Sequence, residues 1–146
     1  MKKYLTIIIS AFILSSNAQP VLKDVTWVLL KIEDKAAKTC LTISHDHSVL
    51  LFEDSTYAGY GCDAFSGRYK INGNKINFIG GMSITNAGCS NPEDYTAEDY
   101  IMKNFIQLEY KIVDDNLILN KDDNVIFTFV KRAKKKKGNK HNKHNK

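Results

Sequence analysis

The sequence lacks an apolar run long enough to cross a membrane. Its longest apolar stretch, Tyr4–Leu14, is about half the length of the roughly 20 residues that a spanning helix needs. Lys2 and Lys3 precede this stretch, and Ser16-Asn17-Ala18 follows it. A short charged region, an apolar region and a small-residue end are the parts of a secretory signal peptide. The sequence therefore predicts cleavage before Gln19 and no transmembrane segment.

Cysteine is also scarce, and none lies near the predicted cleavage point. A bacterial lipoprotein would need an acylated cysteine there, so we expect an exported protein that is periplasmic or secreted and is not a lipoprotein. The three cysteines are Cys40, Cys62 and Cys89. An oxidising compartment favours disulfides, and three cysteines allow one bond and leave one free thiol.

Acidic residues are absent from the C-terminal end. Residues 131–146 contain nine lysines or arginines and no acid, whereas residues 19–130 contain 10 basic and 16 acidic residues, a net charge of −6. The formal charge of +5 therefore does not describe the folded part, and it gives no support for specific nucleic-acid binding. The tail contains no aromatic residue on which a base could stack.

Length and composition predict one small domain. The predicted organisation is a signal peptide over 1–18, a domain over 19–130 and a basic disordered tail over 131–146. Two interpretations of the tail stay open. It is either a solvated segment or a contact for an anionic polymer or an anionic lipid.

Short β-branched and alternating segments predict strands on both sides of one helix. The Asn72-Gly73 pair predicts a hairpin. Asn91 and Pro92 are typical of a helix start, and the sequence predicts a helix over Pro92–Gln107. Strands, helix and strands in this order predict an α+β domain with an antiparallel sheet. The apolar residues at helical spacing are Tyr95, Ile101, Met102, Phe105, Ile106 and Leu108.

Two glycine-rich stretches, Tyr57–Tyr69 and Gly80–Cys89, contain one cysteine each. Glycines in a strand-rich region mark bulges, tight bends or close backbone approach. We interpret the first stretch as a bent pair of strands, in which Gly59, Gly61 and Gly67 avoid a steric clash or adopt positive φ. Aromatic residues supply the bulk between them; these are Tyr57, Tyr60, Phe65 and Tyr69.

The known site motifs are incomplete in this chain. Cys62 has no local signature of a nucleophile with His45 or His47 as its base, and the two histidines lack the further ligands of a zinc site. Residues 122–124 lack the glycine and the final glutamate of a calcium loop. Residues 80–83 lack the Gly-Lys-Ser/Thr of a phosphate loop. We therefore assign no catalytic, cofactor-binding or metal-binding residue, no cofactor and no enzymatic activity.

The residue pattern resembles the META domain, also called the HslJ family, over about residues 26–131. In that family a Trp-x-Leu motif is followed by Gly-Cys-Asn-x-Phe-x-Gly-x-Tyr, by Thr-x-Met-x-Cys, by a helix and by Leu-x-Leu. Asp63 stands where the family usually has asparagine, and residues 83–89 match the second cysteine motif more loosely. The residues at the family's motif positions are Trp27, Gly61, Cys62, Asp63, Phe65, Gly67, Tyr69 and Cys89.

The resemblance implies an open β-barrel-like sheet packed against one helix. It also implies an envelope or secreted protein without an established enzymatic activity. Bacterial members are associated with heat induction and novobiocin resistance, and trypanosomatid members with virulence and secretion. The family fold is similar to that of a secretion-system pilot protein that holds acyl chains in a cracked barrel.

Two functional hypotheses follow. The first is a non-enzymatic exported protein of envelope stress or secretion that binds an apolar small molecule or an envelope protein. The second is a structural accessory protein that its basic tail tethers to anionic envelope polymer.

We also predict a Cys62–Cys89 disulfide, with Cys40 as a free thiol in an apolar or half-buried strand position. The hairpin at Asn72-Gly73 places the two cysteine segments side by side, provided that extra residues near Gly80-Gly81 bulge or turn. Three reduced, packed cysteines are the alternative.

Overall fold

The computed structural model describes residues 21–44 and 48–132. Within these residues the chain forms nine strands and one helix. In chain order the elements are β1 (Thr26–Asp34), β2 (Thr39–Thr42), β3 (Val49–Phe52), β4 (Thr56–Tyr60), β5 (Ala64–Asn72), β6 (Lys75–Ile84), α1 (Pro92–Asn104), β7 (Gln107–Val113), β8 (Asn116–Lys121) and β9 (Val125–Lys131).

The strands form a closed barrel, which corrects the prediction of an open one. β3 to β9 pair in sequence order, all antiparallel, and β1 pairs with β3 on one side and β9 on the other. The β1–β9 ladder has seven paired positions with one bulge, so eight strands close into a ring. β2 extends the ring by pairing with the second half of β1, from Lys31 to Asp34. Closure provides backbone partners that edge strands would lack, which is its physical advantage over an open sheet.

The barrel interior is filled by side chains. Alternate residues of each strand point inward, as in β9, where Val125, Phe127 and Phe129 are buried and the residues between them are partly exposed. Trp27 is 1% exposed, and its indole N–H donates to the Leu22 carbonyl at 3.1 Å. The largest fully buried side chains are Trp27, Phe52, Phe127, Phe129, Leu29, Ile32, Leu50, Ile76, Leu108, Leu117 and Leu119.

Two glycines of the stretch Tyr57–Tyr69 lie directly beneath aromatic rings of the neighbouring strand. Gly59 pairs with Phe65, and a Cβ on Gly59 would lie 2.1 Å from the Phe65 ring. Gly67 pairs with Tyr57, and a Cβ there would lie 2.7 Å from the Tyr57 ring. These two positions confirm the prediction that a side chain there would clash. The same prediction is wrong for Gly61, because an added Cβ would make only ordinary contact, at 3.5 Å, with Ser48.

Gly80 and Gly81 form the bulge that the sequence predicts. Arg68 pairs with Ile79 and Gly67 with Met82, so two extra residues of β6 lie opposite one step of β5. Both glycines have positive φ, 75° and 83°, which a residue with a Cβ rarely adopts.

The helix is shorter than predicted, and its buried face differs. It ends at Asn104 because Phe105 leaves the helical region, and β7 then begins at Gln107. Ile101 and Phe105 are buried as expected, but Tyr95 and Met102 are 64% and 50% exposed. The remaining buried residues are Asp94, Ala97 and Glu98, so the inner face of α1 contains two carboxylates.

The predicted ends fall mostly outside the described residues. The signal peptide over 1–18 lies outside them, as do residues 133–146 of the predicted tail. The tail boundary at residue 131 is early, because Lys131 belongs to β9 and donates its N–H to the Asp115 carbonyl at 2.8 Å. Arg132 N–H likewise donates to Thr26 at 2.8 Å. In residues 21–44 and 48–132, α1 is too short and too polar to serve as a bilayer-spanning helix.

Candidate functional site

The α1 end of the barrel brings together Gly61, Cys62, Asp63 and Cys89 of the family motif. β4 and β6 finish at this end, and the connection from β6 to α1 passes beside the β4–β5 turn. α1 also reaches the end of β1, where the Tyr100 hydroxyl donates to Asp34 at 3.1 Å. Phe105, which directly follows the helix, stacks on Phe78 of β6 with ring centroids 4.6 Å apart.

Asp63 is the centre of a hydrogen-bond network at this end. Its Oδ1 accepts the Thr85 hydroxyl at 2.8 Å and the Ala87 N–H at 2.6 Å. Thr85 Oγ1 in turn accepts the Ala64 N–H at 3.1 Å. Asp63 is 7% exposed, and these bonds join the β4–β5 turn to the segment after β6.

The same hydrogen bonds lower the pKa of Asp63. The Ala87 N–H has the largest effect and the Thr85 hydroxyl the next, because both donate to the ionised carboxylate; burial opposes them. The Asp63 side chain is therefore ionised at neutral pH and serves as an acceptor, not as a proton donor.

Glu98 connects α1 to the β4–β5 turn through a hydrogen bond. Its Oε2 accepts the Asp63 N–H at 2.8 Å, and the residue is 8% exposed. A buried carboxylate is costly without partners, so this bond accounts for an acidic residue on the inner face of α1. Asn91 precedes the helix as its N-cap, and its side chain accepts the Glu93 N–H at 2.9 Å.

Cys62 and Cys89 form a disulfide in this structure, as predicted. Their Cα atoms are 4.9 Å apart, although 27 positions separate them in sequence. Cys40 is the free cysteine among the described residues, and it is exposed on β2. Its predicted half-buried position is wrong, because β2 lies at the margin of the barrel and its first two residues point into solvent.

A groove of about 390 Å³ lies beside the disulfide. Its lining comes from the end of β4, both cysteines and the first turn of α1. Tyr60, one of the lining residues, is 53% exposed. Between α1 and the barrel the enclosed space is only about 10 Å³, room for no more than about one water.

Of the other predicted candidates, His45 and His47 lie outside the described residues. Cys62 is bonded to Cys89 and so offers no thiol. Asp122 and Asp123 are in the β8–β9 turn with positive φ, 49° and 58°, and the Asn120 side chain donates to Asp123 at 2.9 Å. Their surroundings are those of a hairpin turn.

Thr85 and Glu98 were not predicted from the sequence. Positions 94, 98 and 101 lie along one face of α1, and two of them are acidic. Acids on an otherwise apolar helical stripe indicate a buried partner, and this signal could have identified Glu98. The Thr85–Asp63 bond depends on the bulge in β6 and has no comparable local signal.

Three solved structures share this fold. An NMR structure of a protein from Burkholderia xenovorans has 19% sequence identity and a TM-score of 0.62, covering 77% of this chain and 84% of that one. A second NMR structure has 18% identity and a TM-score of 0.56, covering 75% and 91%. A crystal structure of a DUF4847 family protein from Bacteroides vulgatus has 12% identity and a TM-score of 0.51, covering 75% and 94%.

A search of the curated proteins finds no match. The sequence profile of the META domain matches residues 20–134, which include every described element. The chain therefore belongs to the META domain family.

Proposed function

We propose that this META-domain protein is an exported, non-enzymatic binding protein of envelope stress or secretion, and that a partner protein docks over the groove beside the disulfide. The observation that carries the proposal is the contrast between a filled interior and an open groove that is lined by the exposed side chain of Tyr60. Export is supported by the signal-like N-terminus and by a disulfide, which is typical of oxidising compartments.

The packed interior favours a surface partner over an enclosed apolar ligand. Phe52, Phe127 and Leu119 are fully buried in the barrel, where an acyl chain would have to lie. Sites for small ligands are usually cavities of about 300 Å³ or more, far above the 10 Å³ between α1 and the barrel.

The two carboxylates that adjoin the disulfide have structural partners, which favours binding over catalysis. Asp63 and Glu98 are both buried and do not line the groove. Each accepts a hydrogen bond from the protein's own backbone. These bonds connect the β4–β5 turn to α1 and to the segment after β6.

Tyr60 gives the groove a side chain that is typical of protein-binding surfaces. Tyrosine is enriched in interfaces because its ring buries a large area at low entropic cost, and its hydroxyl still finds a partner. Tyr60 lines the groove and is 53% exposed, so its ring is available to a partner.

Photo-crosslinking in the protein's own host tests the proposal. A photoreactive phenylalanine at Tyr60 should yield a discrete adduct, and the same group at Val113, 47% exposed at the end of β7, should yield none. Native mass spectrometry of the same preparation should show the protein without bound lipid. A lipid-bound species, or equal adducts at both positions, would contradict the proposal.

A second candidate function is tethering to an anionic polymer or membrane by the basic tail. The charge separation favours it: a net charge of −6 over residues 19–130 precedes nine basic residues. Binding to anionic vesicles should fall steeply with salt, since screening acts over about 8–10 Å at physiological ionic strength. A chain ending at Arg132 retains all of β9 and should lose the binding. Unchanged binding would place the site on the barrel.

A further inference from the structure

We propose that Cys62, Cys89 and Glu98 bind a thiophilic divalent cation, such as Zn²⁺, when the disulfide is reduced. This inference is independent of the partner-binding proposal, because it concerns the reduced state of the chain. In the reduced chain the cation would lie between the two sulfur atoms that are bonded to each other in this structure.

The three side chains have suitable chemistry and spacing for such a site. The two Sγ atoms and a Glu98 carboxylate oxygen lie within 4.8 Å of one another. Tetrahedral zinc holds thiolate sulfur at about 2.3 Å and carboxylate oxygen at about 2.0 Å, so its ligand atoms are roughly 3.3–3.8 Å apart. Small side-chain rotations bring these three atoms to that spacing once the sulfur–sulfur bond is broken.

The backbone around the cysteines is held in place without the disulfide. Ala87 N–H and the Thr85 hydroxyl both donate to Asp63, and Thr85 N–H donates to the Ala64 carbonyl at 3.0 Å. Asp63 N–H donates to Glu98, the third ligand. Each of these bonds joins elements that contain or adjoin a ligand, so reduction leaves the ligands close together.

The electrostatic surroundings favour a cation. Asp63, Asp94 and Glu98 are all less than 10% exposed, and Asp94 lines the groove beside the disulfide. Two thiolates at this position would add to the local negative charge. A divalent cation compensates that charge, and the groove admits the water that would complete a four-ligand shell.

The reduced site forms by thiol–disulfide exchange with an external dithiol. One thiolate of the reductant attacks a protein sulfur and forms a mixed disulfide, and the other protein sulfur leaves as a thiolate. The second thiol of the reductant then displaces the remaining protein sulfur, and the reductant departs as its own disulfide. The protein gains two electrons and two protons, and zinc binding releases both thiol protons to solvent.

Cobalt substitution tests the site directly. The full-length chain with Cys40→Ser, reduced with excess phosphine and desalted, should bind one Co²⁺ with tetrahedral d–d bands and a thiolate-to-cobalt charge-transfer band. The oxidised protein should show neither band, and this control also accounts for the four histidines. Zn²⁺ should displace the cobalt.

Glu98→Gln separates the carboxylate from the thiols. It retains a side-chain oxygen for the Asp63 N–H, so the fold should persist while cobalt affinity falls at least about tenfold. Unchanged affinity in Glu98→Gln, or equal binding by the reduced and oxidised chains, would overturn the proposal. If the reduced apo-protein unfolds, zinc should restore its circular dichroism spectrum. Failure to do so would also overturn it.

Discussion

Replacing Cys62 by serine should be among the most damaging single changes on the surface of this barrel. The disulfide closes the chain over a separation of 27 residues, from the β4–β5 turn to the segment before α1. In the chain-entropy account a loop of this size stabilises the fold by about 3.5 kcal/mol. That is a large share of the roughly 5–15 kcal/mol that stabilises a small domain.

The hydrogen bonds of Asp63 should keep the cysteine segments folded when the disulfide is removed. They remain in Cys62→Ser, so the variant should still fold, and its loss of stability should arise mainly from the greater freedom of the unfolded chain. For a domain of this size 1 kcal/mol corresponds to about 4 °C, so the melting temperature should fall by roughly 15 °C. Cys62→Ser/Cys89→Ser should melt at the same temperature, since the second change removes no further bond.

Urea and thermal denaturation, each followed by circular dichroism without reductant, measure this difference. The matched control is Cys40→Ser, whose exposed side chain should contribute no more than about 0.5 kcal/mol. A loss below about 1 kcal/mol in Cys62→Ser, or an equal loss in Cys40→Ser, would refute the reasoning.

Three further predictions concern the same end of the barrel and the C-terminus. Because the pKa of Asp63 is lowered in the folded state, its contribution to stability is complete above the unfolded carboxyl pKa near 3.9 and is lost as pH falls below it. Asp63→Asn should therefore flatten the acid limb of a pH–stability curve, unlike Asp122→Asn in the exposed turn; an unchanged limb would contradict this. Gly67→Ala should cost about 1–3 kcal/mol in urea denaturation because its Cβ meets a buried tyrosine ring, whereas Gly61→Ala should cost less; equal costs would argue against close packing of the Tyr57 ring on Gly67. A chain ending at Arg132 should have the same melting temperature as the full-length protein. A melting temperature lower by several degrees would show that later residues stabilise the fold.

Much of the fold follows from local signals in the sequence. Alternating apolar residues locate the strands, Pro92 locates the helix start, and Gly80-Gly81 locates the bulge. Closure does not follow from them, because it depends on whether the first and last strands meet. β1 and β9 are both rich in apolar residues, and this composition suits an outer strand of an open sheet as well as adjacent strands of a closed one.

The candidate site was only half predictable. The cysteine pair follows from the glycine-rich segments and the hairpin between them. The inner face of α1 is misplaced when only apolar residues are counted, because such a count gives no weight to a carboxylate such as Glu98. Apolar periodicity therefore favours Tyr95 and Met102 for the buried face, where the structure has Asp94 and Glu98.

We propose that this META-domain protein is exported, and a Cys62–Cys89 disulfide closes the α1 end of its barrel. Mass spectrometry of unreduced protein from the exported fraction of its own host tests both parts in one measurement. We expect an N-terminus at Gln19, one cross-linked peptide that joins Cys62 to Cys89, and Cys40 as a free thiol. An N-terminus at Met1, a cross-link to Cys40 or three free thiols would contradict the claim.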